Sequence, residues 1–138
     1  MLRSEVGQRT KKLTSGEILI GDTLGEMLKF YACADVVFVG GSLVPIGGHN
    51  ILEASLLKKP VIFGPYMQNF RTISQLLLEA GGGFQVVAGE LAEKVEMLVH
   101  DPGVANEVGR KGEALFAEHS GATARTITEI ELLFGARK

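Results

Sequence analysis

Two glycine pairs, Gly40-Gly41 and Gly47-Gly48, stand within nine residues of each other, followed by His49-Asn50 and then Glu53. Glycines let a backbone approach a ligand where a side chain would block it, and free N–H groups at the start of a helix favour negative charge. A carboxylate one turn into such a helix can accept hydrogen bonds from ribose hydroxyls. The pattern suits an anionic ligand carrying a sugar. Ser42 and Asn50 are the natural side-chain donors to a phosphate, and His49 supports the phosphate or a leaving group. A lone histidine is more often structural, but a helix start beside two glycines favours a functional one.

Other chemistries find no support. No GxGxxG follows the first strand-like run, and no Lys-Ser or Lys-Thr follows the glycines, so neither the dinucleotide fingerprint nor a P-loop is present. No Cys/His/Asp cluster has metal spacing, and neither a Ser/His/Asp set nor a GxSxG elbow can be assembled. Cys33 reads as a small buried hydrophobe within a helical pattern. His100 and His119 carry no assigned role.

The elements that must position these residues alternate. Residues 1–16 are a polar lead-in, with Arg3, Arg9, Lys11 and Lys12 against Glu5. Either it is mobile, or Arg3 and Ser4 fold back on a phosphate. Glu17–Ile20 reads as a short buried strand, and a helix from Asp22 or Thr23 to Ala34 follows. Glu26, three residues after Thr23, has capping-box spacing, so Asp22 and Glu26 have a capping role to weigh against a ligand. Asp35–Val39 is a strand covered on both faces. Further elements are a helix from His49 to Leu57, a strand Val61–Phe63, a helix Gln68–Ala80 and a strand Phe84–Val87. Helices follow around Leu91–Val99 and after Asp101-Pro102, and the last is amphipathic, Thr123–Phe134. Four-residue strands alternating with helices predict an α/β fold, a Rossmann-like parallel sheet of about four strands flanked by helices. Ligands in such sheets sit beyond the carboxyl ends of the strands, where Gly21–Thr23, Gly40–Ser42 and Gly64-Pro65 fall.

The 138 residues suffice for one domain with a core. Their apolar fraction is 46%, their charged fraction 22% and their net charge −2, which excludes a general basic field for nucleic acid. No run of 18 apolar residues and no signal-peptide layout is visible.

Together, Gly21-Asp22-Thr23-Leu24-Gly25-Glu26, Ala34-Asp35, Gly40-Gly41-Ser42-Leu43, Gly47-Gly48-His49-Asn50, Glu53, Gly64-Pro65 and Asn69-Phe70 resemble the carboxy-terminal half of the 3-deoxy-D-manno-octulosonic acid (Kdo) transferases. These are inverting, membrane-associated glycosyltransferases of lipopolysaccharide synthesis with the two-domain GT-B fold. Arg3-Ser4 resembles a basic-serine pair just upstream in that family. The likeness implies that 17–138 is a nucleotide-sugar donor-binding domain for CMP-Kdo. Asp22, Thr23, Leu24 and Glu26 would lie near the cytosine, and Arg3 near the phosphate. Gly41, Ser42, Gly47, Gly48, His49 and Asn50 would hold the phosphate and the Kdo carboxylate. Glu53 would hold the ribose, and Gln68 and Asn69 would approach the sugar.

The family implies transfer to a lipid A precursor at the cytoplasmic face of the bacterial inner membrane, with no cofactor and no tightly held metal. Ile51 and Ala54 stand where the family often has proline; proline only pre-sets the first helical turn, so the site is expected to survive. The length implies a fragment without the acceptor domain, its general base and its membrane contact, and without two strand-helix units of the donor domain. Such a chain is expected to be inactive alone, to bind CMP weakly and to dimerise through an exposed sheet edge. Two other readings remain open: a donor domain for a UDP-sugar, as in the N-acetylglucosaminyl transferase of peptidoglycan synthesis, and a non-catalytic nucleotide-binding or assembly module.

Overall fold

The computed structural model describes residues 1–8 and 14–117. The expected amphipathic segment Thr123–Phe134, with Arg9, Lys11, Lys12 and His119, lies outside the described residues.

Three short strands form a parallel sheet: β1 (Val37–Val39), β2 (Val61–Phe63) and β3 (Gly83–Gln85), in the order β1-β2-β3. Val37 pairs with Val61 and Val61 with Gly83, and the register continues through Val39, Phe63 and Gln85. Parallel neighbours need crossovers, and helices supply them. Helix α1 (Met27–Cys33) leads into β1, and α2 (Leu52–Leu56) joins β1 to β2. A 3-10 turn, Gln68–Phe70, opens into α3 (Arg71–Glu79), which joins β2 to β3. Helix α4 (Leu91–His100) and a further helix α5 (102–117) follow.

Alternation along β2 divides the core. Val61 and Phe63 face a cluster with Val37, Val39, Ile51, Ala54, Met67 and Leu77, under α2 and α3. Ile62 faces Val86, Leu98 and Ala105, under α4 and α5. All three β2 residues are fully buried, which explains their uninterrupted apolar run.

The parallel α/β architecture matches the sequence, whereas several element boundaries do not. Glu17–Ile20 is not a strand of the sheet. Among the described residues it makes one isolated parallel bridge, Ile20 to Leu2, and Ile18 and Ile20 are exposed because no layer covers them. Among the described residues the sheet therefore has three strands rather than about four. The helix expected from Asp22 or Thr23 begins only at Met27, because Gly25 has φ +76°, a conformation an α-helix cannot hold. Helix α1 buries none of its residues fully, and Cys33 is exposed rather than a core residue. The helix expected from His49 is only five residues long and starts at Leu52. It ends where Lys58 turns left-handed at φ +58°, two residues before Pro60. The fourth expected strand, Phe84–Val87, begins one residue earlier and ends two earlier, as Gly83–Gln85, and Gln68–Phe70 is a 3-10 turn ahead of α3. Among the described residues no helix is long and apolar enough to cross a membrane.

Candidate functional site

Beyond Val39 the chain loops through 40–48 and closes on itself, with the Gly48 N–H donating to the Gly41 carbonyl at 3.0 Å. The segment after β2 is bonded to this loop. Tyr66 N–H donates to Ser42 O at 2.9 Å, and Asn69 N–H to Gly47 O at 3.1 Å. Glycines at 47 and 48, at φ +106° and +73°, admit this packing. A Cβ on Gly47 would lie 2.8 Å from the Asn69 amide carbon, and one on Gly48 would strike the Met67 thioether. The His49 ring lies over Gly41, 3.2 Å from where a Cβ would stand, and remains exposed.

Ser42 departs from its expected role as a donor to phosphate. The residue is fully buried, its hydroxyl donates to Val39 O, and it accepts the Gly64 N–H at 2.8 Å. Its side chain ties the end of β1 to the end of β2. The partner stands 22 positions away, so no local pattern reveals it.

Asn50 and Glu53 come together. Asn50 Oδ1 accepts the Leu52 N–H at 3.0 Å, an Asx turn just ahead of α2, while Asn50 Nδ2 donates to Glu53 Oε1 at 3.2 Å. The amide is thus occupied in orienting the carboxylate. A five-residue helix has a weak dipole and one of its leading N–H groups is already bonded, so the expected helix-mouth anion site is not formed by α2 alone. Glu53 makes no ion pair among the described residues, and its Oε2 accepts no hydrogen bond there. It is half-buried and faces a cleft of about 450 Å³. Gly25, Met27, Leu28, Leu52, Leu56 and Phe116 form its apolar walls, and Asn50 lines it beside Glu53. Tyr31 stands nearby: burial, and then the negative charge of Glu53, push its phenol above the ordinary 10.0. An apolar slot ending in an available carboxylate can take a flat ring with hydroxyls attached. Sequence reasoning missed Phe116 and Met27, because a lone apolar residue at helical spacing reads as core.

The remaining nominated residues satisfy one another. Ser4 donates its N–H to Asp22 Oδ1 at 2.8 Å and its hydroxyl to Asp22 Oδ2. Arg3 pairs with Glu26 at 2.9 Å, Thr23 Oγ1 donates to Glu26 Oε2 at 2.7 Å, and Lys29 adds a contact at 3.2 Å. Arg3 and Ser4 fold back, but onto carboxylates. Thr23 and Glu26 meet side chain to side chain instead of capping the backbone. Leu24, 99% exposed, stands free beside a second cleft of about 480 Å³ lined by Leu19, Gly21, Met27 and Phe30.

The hydrogen bonds from Ser4 hold the Asp22 carboxyl below its usual 3.8, and those from Thr23 and Lys29 hold Glu26 below 4.5. A depressed folded value contributes stability above the unfolded value, and that contribution is lost as pH falls through the folded one. Asp22→Asn is therefore expected to lower the thermal midpoint at pH 7, with the gap closing below about pH 3.8. Melting curves of the two proteins from pH 7 to 2.5 check this. A gap that persists at the acid end would show that charge is not its source.

A cleft of about 370 Å³ between Lys58, Lys59, Asp35 and Asn106 lies at the amino ends of the strands. Parallel sheets bind ligands at the opposite end, where Gly40–Asn50 and Glu53 gather.

No family model matches the chain. Individual relatives do. Over 116 residues it is 37% identical to the 3-deoxy-D-manno-octulosonic acid transferase of Bordetella pertussis, covering 83% of this chain and 27% of that protein. The Haemophilus influenzae enzyme of the same name is 37% identical over 80% of this chain and 26% of its own length. A bifunctional glycosyltransferase/methyltransferase of Fusobacterium nucleatum is 39% identical over 66% of this chain and 14% of its own. Among solved structures, the C-terminal CMP-Kdo binding domain of WaaA from Acinetobacter baumannii superposes with a TM-score of 0.68 at 30% identity. That match covers 71% of this chain and 52% of the other. The chain spans about a quarter of the length of the two transferases. By sequence and by fold it belongs to the 3-deoxy-D-manno-octulosonic acid transferase family, as a counterpart of the carboxy-terminal domain.

Proposed function

We infer that this chain is the donor-binding part of a glycosyltransferase that moves Kdo from CMP-Kdo to a lipid A precursor in lipopolysaccharide synthesis. The observation that carries the reading is Glu53: an acid outside any ion pair among the described residues, steered by Asn50, at the end of an apolar cleft beside the glycine loop. In this assignment the cleft takes the nucleoside and Glu53 accepts hydrogen bonds from the ribose. Gly41 and His49 face the phosphate, while Gly47 and Gly48, buried against Asn69 and Met67 and so not free to meet it, hold that loop in place. Leu24 is the member of the 22–26 loop left free to meet a base. Arg3, Asp22, Thr23 and Glu26 then act by fixing that loop through their mutual contacts. Transfer, the lipid acceptor and work at the cytoplasmic face of the inner membrane are proposed for the whole protein of which the relatives are examples. Their support is the family alone.

Calorimetric titration tests the donor site. CMP is expected to bind the 138-residue chain more tightly than UMP. Glu53→Ala should weaken CMP about tenfold or more, the scale of a lost charge-assisted hydrogen-bond pair. Equal affinity in wild type and Glu53→Ala would overturn the assignment, and a preference for UMP would move the chain to the UDP-sugar class.

A further inference from the structure

Helix α5 carries the chain along α2 and releases it beside the Glu53 cleft. Near its start, Ala105 packs with Ile62 and Leu98 on the α4 side of the sheet. Farther on, Gly112 lies against α2, where a Cβ would stand 3.2 Å from the Ser55 hydroxyl oxygen, and Glu113 pairs with Lys58 at 3.2 Å. Leu115 packs on the cluster of Val61 and Phe63, and Phe116 lines the cleft with Leu52 and Leu56. The described part of the helix ends at 117, on this side of the sheet. The surface it reaches is apolar and open: Met27 is 53% exposed, Leu28 48% and Leu56 42%. Helix α1 supplies the first two and buries none of its seven residues fully. A helix that short is not held by propensity, so it calls for a covering partner.

We propose that the seat formed by Met27, Leu28, Leu56 and Phe116 is taken by this chain's own segment 123–134, laid across it as a helix. The sequence of that segment sets Ile127, Ile130 and Phe134 at i, i+3 and i+7, one helical face, with Arg125, Thr128 and Glu129 on the other. Only 118–122, with Ser120 and Gly121, separate it from α5, a connection of the length that joins antiparallel helices. Turning back at that point brings the apolar face onto Phe116 first, and then onto α1 and the end of α2. A helix over 123–134 is about 18 Å long, enough to cross both. Each surface is apolar, so docking removes water from both at once. The exposed Phe38 does not compete as a seat. It alternates with Val37 and Val39 and pairs with Ile62, which puts it on the opposite face of the sheet from Leu115. The docked segment forms the outer wall of the cleft, and the inference holds whatever ligand the cleft takes.

A nitroxide attached at position 128 of the full ¹⁵N-labelled chain tests this, through Thr128→Cys in a Cys33→Ser background. Cys33 is exposed, so its replacement leaves the core intact. The amide signals of Met27, Leu28 and Leu56 are expected to lose most of their intensity and to regain it when the nitroxide is reduced. The Phe38 signal should keep its intensity. Adding Ile127→Asp and Ile130→Asp should restore all three signals, while unmoved amides of Val61–Phe63 show that the sheet is still folded. A mixed sample, ¹⁵N-labelled chain without nitroxide and unlabelled chain with it, separates docking within one chain from exchange between two. Broadening in that mixture would make the occupant a second copy and overturn the proposal. So would full intensity at Met27, Leu28 and Leu56, or broadening there that survives the two aspartate substitutions. No nucleotide is present in any sample, so the outcome is independent of the donor assignment.

Discussion

Gly64→Ala is expected to lower stability by about 3 kcal/mol or more and the thermal midpoint by roughly 10 °C. The added methyl would be driven into the Ser42 carbonyl, 2.5 Å from its carbon and 2.7 Å from Leu43 N. These are backbone atoms and cannot swing aside as a side-chain tip would. The whole joint between the 40–48 loop and the end of β2 would have to part, including the Gly64 N–H to Ser42 bond. Gly40→Ala is the matched control, since its Cβ would meet nothing within 4 Å and its φ is not positive. That change should stay within about 0.5 kcal/mol. Similar melting curves for the two variants would show that the loop joint is loose and not closely packed.

Ser42→Ala is expected to cost about 3 kcal/mol at an unchanged denaturant slope. It deletes the acceptor of a buried N–H and the donor to Val39 O in a place without solvent. Urea unfolding monitored by circular dichroism gives the number. The same variant decides between two roles for the residue. A joint loses stability first, and loses ligand only as far as the loop moves. A direct phosphate ligand would lose CMP affinity while keeping its stability. A loss below about 1 kcal/mol would return Ser42 to the ligand and remove it from the joint.

What the sequence made legible follows the range over which each interaction acts. Val61–Phe63 was readable because full burial on both faces leaves a continuous apolar run, whereas Val36–Val39, expected to be covered on both faces, leaves Phe38 exposed on one of them. Ile18 and Ile20 carry the same local signal, yet they are exposed, because a strand also needs a neighbour and a covering layer. Neither is encoded in the run itself. The Thr23–Glu26 spacing reads as a capping box, yet the two side chains bond each other and not the backbone. It misplaced the helix start, because Gly25 between them turns left-handed.

The same division holds at the candidate site. Asn50 and Glu53 were legible singly, as a phosphate donor and a ribose acceptor, but not as the hydrogen-bonded pair they form. Asp22 was weighed between a cap and a ligand contact, and its partner is instead Ser4, 18 residues away. Phe116 joins the cleft across more than sixty positions of chain, so no spacing rule reaches it. Which short-range polar residues gather was therefore visible in the sequence, whereas the bonds they make with each other and the long-range closure were not.

The account stands on the slot between 25–28 and 50–56 taking the nucleoside. Mapping CMP by amide shifts on the ¹⁵N-labelled chain tests that most directly. The account expects the largest saturable changes at Gly25, Leu28, Leu52 and Glu53, with smaller ones at Gly41 and Gly48. Changes centred on Lys58, Lys59 and Asn106 at the amino ends of the strands, or none up to millimolar CMP, would contradict it.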